Sequence, residues 1–384
     1  MNFYEESKKF AVEHIEPYAK SSDEEGRFPV ESFEEMGKAG YFKLLIPEEM
    51  GGLGKTAVEH QQAVLAFAES NPTAGLCYMM HNVALMTVLT HGNEELKKKI
   101  VKDIVENNKF MALAYSEFGT GTHFYIPEIK VTKDGEKFVF NGTKSMVTSA
   151  THANYYLILT PSTEKEGAIN NWLVPLESEG LEFKMSHWKG IGMKGNVSCP
   201  MTMTDVKLDE VNRIGEEGSG EEQVFNVVAP YFILGLASVY TGLNLRLSKV
   251  TNSYALRRKY PSGDSLANIE TVQVHLGKIY SNGMSAKALT ELAARSLVDG
   301  EEDAVCKIIA ARVCAIENAI ESSTLAMRVG GGKTYNCASE IQRLMRDAYA
   351  GQIMAPSLDI LNVWLGRANQ TLRMSNDGAM IWPA

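Results

Sequence analysis

The sequence predicts an α+β, mostly α fold, in which a helical N-terminal part, a middle antiparallel β domain and a C-terminal helical bundle follow one another. Two changes of apolar period carry this reading. Apolar residues recur at helical intervals from Tyr4 to about Lys109, give way to short β-branched and aromatic runs from Phe110 to about Arg213, and return to helical intervals from Val224 to about Arg373. A third observation marks the second boundary: GEEGSGEEQ (215–223) breaks both patterns with three glycines. The expected units are therefore residues 1–110, 111–216 and 217–384.

In the first unit Phe10, Val12, Ile15 and Tyr18 share a helical face. In PVESFEEMG, Ser32 stands four residues ahead of Met36 with Glu34 and Glu35 in the early turn, which predicts a helix start; Gly37 after Met36 predicts its stop. Gly51, Gly52 and Gly54 lie too close together for a helix interior and mark a turn. Helices are expected over Ala57–Ala68, around the apolar run Tyr78–Leu89, and in GNEELKKKIVKDIVENN, where Ile100, Ile104 and Val105 oppose a solvated lysine face. In the second unit KFVFNGTK, NYYLILTP, NNWLVPL, LEFKMSH and CPMTMTDVKL read as strands, and Asp134-Gly135 and Asn141-Gly142 as tight hairpin turns. In the third, Val272, Leu276, Ile279, Leu289 and Leu292, then Val305, Ile308, Ile309, Val313, Ile316 and Ile320, mark long helices with short connections. The closing RMSNDGAMIWPA reads as irregular.

Composition excludes several function classes. The 384 residues are 45% hydrophobic and 22% charged, which is ordinary for a chain with a large core. The net charge of -9 and the lack of a basic stripe argue against a nucleic-acid surface. Cys77, Cys199, Cys306, Cys314 and Cys337 are scattered and never form a CxxC pair, so neither a disulfide framework nor a metal site is expected. The 18 methionines read as adaptable core. MNFYEESKKFAVEH is charged from its fifth residue, and no apolar run reads as long enough to span a membrane, so a soluble, cytoplasmic chain is expected.

The chemistry-bearing stretch runs from Ala112 to Ala150. ALAYSEFGTGTH sets Gly119 and Gly121 after an apolar run, where backbone N–H groups can approach an anionic or aromatic ligand. FVFNGTKSMVTSA then brings a hydroxyl, Thr148, to the end of a strand. A plain turn gives the same letters, but the order of its companions is specific: IPEEMGGLG (46–54) upstream, then GIGMKGN (190–196), SYALRRK (253–259) and QRLMRDAYAGQI (342–353). In this order and over essentially the whole chain, these motifs resemble the acyl-CoA dehydrogenase family of flavoproteins.

The resemblance implies a C-terminal four-helix bundle, FAD wedged between the last two domains, and a homotetramer or homodimer in which the FAD contacts a neighbouring subunit. It also implies an acyl thioester substrate, bound to CoA or to an acyl carrier protein, and an electron-transfer flavoprotein or similar acceptor. Tyr115 and Ser116 then flank the flavin ring, Thr148 bonds near its N5, and Gly121 and Thr122 pass over the pyrophosphate. Met146 stands where the family has an aromatic wall. Arg258 matches the arginine that reaches the pyrophosphate across the dimer, although Tyr260-Pro261-Ser262-Gly263 replaces the aromatic-Gly pair that follows it. Arg328 replaces a usual glutamine, and Gly331 and Gly332 stand in the diphosphate segment. Ser357 and Asp359 are further flavin-side positions.

The family's catalytic Glu is missing from both of its slots, since Ala355 fills the usual one and Phe232 the alternative; Ile233 replaces an arginine that serves CoA. The backbone N–H of Ala355 remains able to polarise a thioester carbonyl. Three side chains come forward as replacement base. Asp359, four residues after Ala355, would share its face in a helix. His123 is the one imidazole in the motif region. Tyr231 borders the second slot but is a weak base at an ordinary phenol pKa. Glu117 is read as ordering the loop. The function expected is dehydrogenation of an acyl thioester at its α,β carbons with an atypical base. Flavin-dependent monooxygenation on the same fold, or a non-catalytic FAD-binding subunit, are the alternatives.

Overall fold

The computed structural model describes residues 2–121, 123 and 125–374. Six helices come first: α1 (Phe3–His14), α2 (Ala19–Glu25), α3 (Val30–Lys38), α4 (Ala57–Ser70), α5 (Pro72–His91) and α6 (Glu94–Asn107). Their ends follow local chemistry. Asn2 caps α1 by accepting the Glu5 N–H at 3.0 Å, and Thr56 with Glu59 forms a capping box at α4. α3 starts earlier than Ser32 because Pro29 already supplies a helix-compatible φ at its entrance; Ser32 is inside the helix with its buried hydroxyl unpaired among the described residues. Gly37 does not stop the helix either. It is small because a Cβ there would meet that of Asn108 at 2.9 Å, and the chain turns away only after Lys38, at Gly40 (φ 83).

The middle region holds β1 (Met111–Leu113), β2 (Lys130–Asp134), β3 (Lys137–Val147), β4 (Tyr155–Pro161), β5 (Ile169–Pro175), β6 (Leu181–Phe183), β7 (Cys199–Asp209) and β8 (Arg213–Ile214). They form two four-stranded sheets, ordered β1-β4-β5-β8 and β2-β3-β7-β6. All pairings are antiparallel except β1 with β4, which the chain reaches only after an excursion through β2 and β3 in the other sheet. Asp134-Gly135 makes the expected hairpin turn. Asn141-Gly142 does not. It is a bulge inside β3, where the Asn141 amide exchanges bonds with the Asp205 carboxylate (2.9 Å) and the Asp205 N–H (3.0 Å) on β7.

The last region contains α7 (Gly220–Gln223), a π turn at Val224–Val228, then α8 (Ala229–Arg257), α9 (Glu270–Asp299), α10 (Ala304–Gly330), α11 (Glu340–Ile353) and α12 (Leu358–Met374). Helix α12 therefore carries the expected irregular tail to Met374; the remainder of RMSNDGAMIWPA lies outside the described residues. Helix α8 is the centre, packed on α4, α5, α9, α10 and α11. Contrary to the sequence expectation, the helical run 220–257 is long and apolar enough to cross a membrane, an 18-residue stretch within it having a mean hydropathy of 1.6, yet 83% of that stretch is buried within the fold.

Close approach of α8 to α4 depends on Gly242, where a Cβ would lie 2.4 Å from the Leu65 carbonyl oxygen. Backbone cannot yield as a side chain can, so Gly242→Ala is expected to destabilise the protein by about 1–3 kcal/mol. Gly277, in α9, has nothing within 4 Å of its Cβ position, and Gly277→Ala is expected to stabilise by up to about 1 kcal/mol. Thermal unfolding of the two variants checks the opposite signs.

Candidate active site

A cavity of about 40 Å³ lies where the middle region meets α8 and the turn after α11. Leu113, Tyr115 and Ser116 form one wall, and Val228, Ala229, Phe232 and Ile233 another. Ala355 and Pro356 close it. Phe232 and Ala355, which fill the two slots where the resemblance expects a Glu, thus border one space, together with Ser116. The wall is apolar because its helical side comes from the π turn and first turns of α8, an apolar run. Among the described residues no carboxylate or imidazole lines it.

Pro356 decides the geometry of the closing turn. A proline cannot continue α11, so the helix ends at Ile353 and α12 begins afresh at Leu358. Ala355 consequently has no helical face to share with Asp359, which sits exposed in the first turn of α12; the expected juxtaposition fails. Ser357 instead accepts the Leu361 N–H through its carbonyl at 2.9 Å. The Ala355 N–H has no acceptor among the described residues. His123 is exposed and away from the cavity wall, with Nδ1 3.3 Å from the Tyr125 hydroxyl. Tyr231 packs beside His60, ring centres 5.9 Å apart, and burial raises its phenol pKa, which makes ionisation harder.

Ser116 is tied to β3, since its carbonyl accepts the Ser145 N–H at 2.8 Å. Met146 on β3 is 56% exposed, and Thr148 just past its end is buried, its hydroxyl 3.0 Å from that of Ser198 on the approach to β7. The following loop is held by Glu117, which accepts the Glu128 N–H at 2.7 Å and pairs with the fully buried Lys144 ammonium. Lys144 also donates to the Leu159 carbonyl at 2.6 Å, and burial draws its pKa down to about 8 against the pull of Glu117. Tyr115 is fixed by a hydrogen bond to Asn171. Gly121 has φ 52 and nothing within 4 Å of its Cβ position. Thr122 lies outside the described residues.

The remaining predicted residues gather elsewhere. Arg258 caps the C-terminal end of α8, its guanidinium 5.9 Å from the Tyr260 ring, and Tyr254 donates to the Gly330 carbonyl at 3.2 Å. This brings Arg258 to the end of α10, where Arg328, Gly331 and Gly332 are exposed beside a cleft of about 570 Å³. Helix α8 has 29 residues, so its two ends stand roughly 40 Å apart. The predicted residues therefore form two clusters at opposite ends of one rod.

Two groups escaped sequence reasoning. Asp347 on α11 is buried and accepts the Met193 N–H at 2.6 Å, which locks GIGMKGN onto α11; a Cβ on Gly192 would lie 2.3 Å from the Arg346 carbonyl oxygen. Arg312 on α10 is fully buried, donates to the Met354 carbonyl at 2.8 Å, and lies 5.8 Å from the Phe232 ring. The available signal was a lone arginine on the apolar stripe of Ile308, Ile309, Val313 and Ile316.

Burial pushes the Asp347 carboxyl up to about 6, the Met193 N–H and Arg343 partly opposing it. A raised folded-state pKa gives stability that is full below the unfolded carboxylate range and is lost as pH rises through about 6. Asp347→Asn keeps the acceptor for Met193 without a buried charge. It is expected to match the parent near pH 4 and to exceed it near pH 8 by on the order of 3 kcal/mol, read from unfolding curves at both pH values.

Family models for the acyl-CoA dehydrogenase N-terminal, middle and C-terminal domains match residues 2–108, 112–206 and 234–363. The probable acyl-CoA dehydrogenase FadE25 of Mycobacterium tuberculosis is 25% identical over 360 residues, covering 93% of this chain and 92% of the relative. Glutaryl-coenzyme A dehydrogenase, solved with glutaryl-CoA, superposes with a TM-score of 0.89 at 22% identity over 97% of this chain and 95% of its own. PigA, solved as an FAD complex, gives 0.87 at 18% identity over 97% of both chains. The three domains follow in one chain over nearly its whole length, and the chain belongs to the acyl-CoA dehydrogenase family.

Proposed function

We propose that the protein is an FAD-dependent oxidoreductase that acts on the α,β carbons of an acyl thioester, carried by CoA or by an acyl carrier protein, at a site shared between two copies of the chain. The observation that carries this reading is the cavity that sets Ser116 opposite Phe232 and Ala355, with the Ala355 N–H unpaired. Fit to FAD is supported on this side by the open space over Gly121 and by the exposed Met146 next to Thr148 and Ser116. Arg258, Arg328, Gly331 and Gly332 supply cationic side chains and bare backbone suited to a diphosphate. At roughly 40 Å they serve the FAD of a neighbouring copy.

When bound, the isoalloxazine would accept hydride from the β-carbon. The Ala355 N–H donates to the thioester carbonyl and so acidifies the α-proton, and the Ser116 and Thr148 hydroxyls orient the ring. Apolar walls from α8 exclude water. Among the described residues no carboxylate or imidazole of this cavity's wall takes the α-proton, so it leaves slowly, to water at the open edge of the cavity that the α8 walls do not cover. Flavin monooxygenation on the same fold is the second reading, favoured by that same base-free wall.

Purified protein is expected to carry flavin, and anaerobic mixing with a panel of acyl thioesters to bleach it slowly. Ala355→Glu, which restores a carboxylate to the usual slot, is expected to speed bleaching by about 10²–10⁴-fold. A coloured protein that no thioester bleaches, with or without Ala355→Glu, contradicts the dehydrogenase reading. Oxygen consumption with a hydroxylated product supports the second.

A further inference from the structure

The Arg312 guanidinium has five N–H donors and, among the described residues, a single acceptor, the Met354 carbonyl. Nε and Nη1 are buried and unpaired. No carboxylate forms an ion pair with it among the described residues, and burial lowers its pKa to about 9, which leaves it charged at neutral pH. Buried arginine is ordinarily retained where an anion answers it. The carbonyl at the C-terminal end of α11 answers part of the charge, but each edge of the planar group still offers a free donor.

The position matters as much as the charge. Arg312 touches both sides of the cavity from behind: it holds the carbonyl next to Ala355, and its guanidinium faces the Phe232 ring at 5.8 Å. Phe232 is partly exposed and lines the cavity, whereas the fully buried Arg312 behind it does not. A cavity of about 40 Å³ admits a small planar group. A single positive charge with donors on two edges of a plane matches a carboxylate in charge and shape.

We propose that Arg312 is a carboxylate-binding residue behind the Phe232 wall, so that the substrate's acyl part carries a free carboxylate. This rests on reading the cavity as the acyl site. Phe232 turns aside as the carboxylate enters, and the guanidinium exchanges a cation–π contact for a charged hydrogen-bonded pair.

Butyrate and butyramide are nearly the same shape and differ in charge, and they serve as probes. Their binding to the purified protein is measured by calorimetry and thermal shift at constant ionic strength, and flavin content is recorded on the same samples. Butyrate is expected to bind at least about tenfold more tightly than butyramide. Arg312→Gln is expected to abolish that preference, and Phe232→Ala to strengthen butyrate binding by removing the screen. Equal binding of acid and amide by the parent protein, or an undiminished preference in Arg312→Gln, overturns the proposal. Should Arg312→Gln fail to fold, Arg312→Lys keeps the charge and loses the planar fork: it should retain a weakened preference, and the parent's acid-to-amide ratio decides. Flavin-bearing protein without acid preference defeats only the carboxylate site; acid preference in protein that takes up no flavin defeats only the redox reading.

Discussion

The burial of helix α8 is the constraint on which the rest of the structure depends. The apolar stretch within 220–257 must be covered, and in this chain it is covered by protein: α4 and α5 from the N-terminal region, α9, α10 and α11 from its own. Gly235 and Gly242 let the covering helices come close, with Met79 and the Leu65 carbonyl where Cβ atoms would be. The three regions are therefore one packed body around one rod, and the site is a product of where the rod begins and ends.

Its beginning makes the cavity. The π turn at Val224–Val228 and the first turns of α8 present Val228, Ala229, Phe232 and Ile233 to Tyr115 and Ser116, and Pro356 folds the chain after α11 over the same space. Rigid supports lie behind each piece. Glu117 and Lys144 hold the loop after Ser116, Asp347 holds GIGMKGN against α11, and Arg312 holds Met354. The end of α8 makes something else, a cationic, glycine-bearing surface at Arg258 and Gly331. A single copy has both ends and cannot bring them to one ligand.

Much of this was legible in the sequence. The periods of apolar residues marked the helical, strand and helical regions, and the ordered motifs pointed to the family and to Ser116, Ala355 and Phe232. What was misread depended on partners distant in sequence. Asn141-Gly142 has the letters of a hairpin turn, and only Asp205, on a strand more than fifty residues later, makes it a bulge. The Ala355–Asp359 spacing is right for a helix, and Pro356 between them forbids one. Arg312 reads as a stray charge until Phe232 and Met354 are seen against it.

Complementation tests the shared site most directly. Gly121→Asp sets a carboxylate where the diphosphate is proposed to pass at one end of α8, and Arg258→Glu reverses the charge at the other. Each variant alone should be purified without flavin. When the two are co-expressed and the hetero-oligomer isolated, one of its sites has both ends intact, and flavin should return. Hetero-oligomer that stays colourless, or flavin retained by Arg258→Glu alone, would contradict a site built from opposite ends of α8 in two copies.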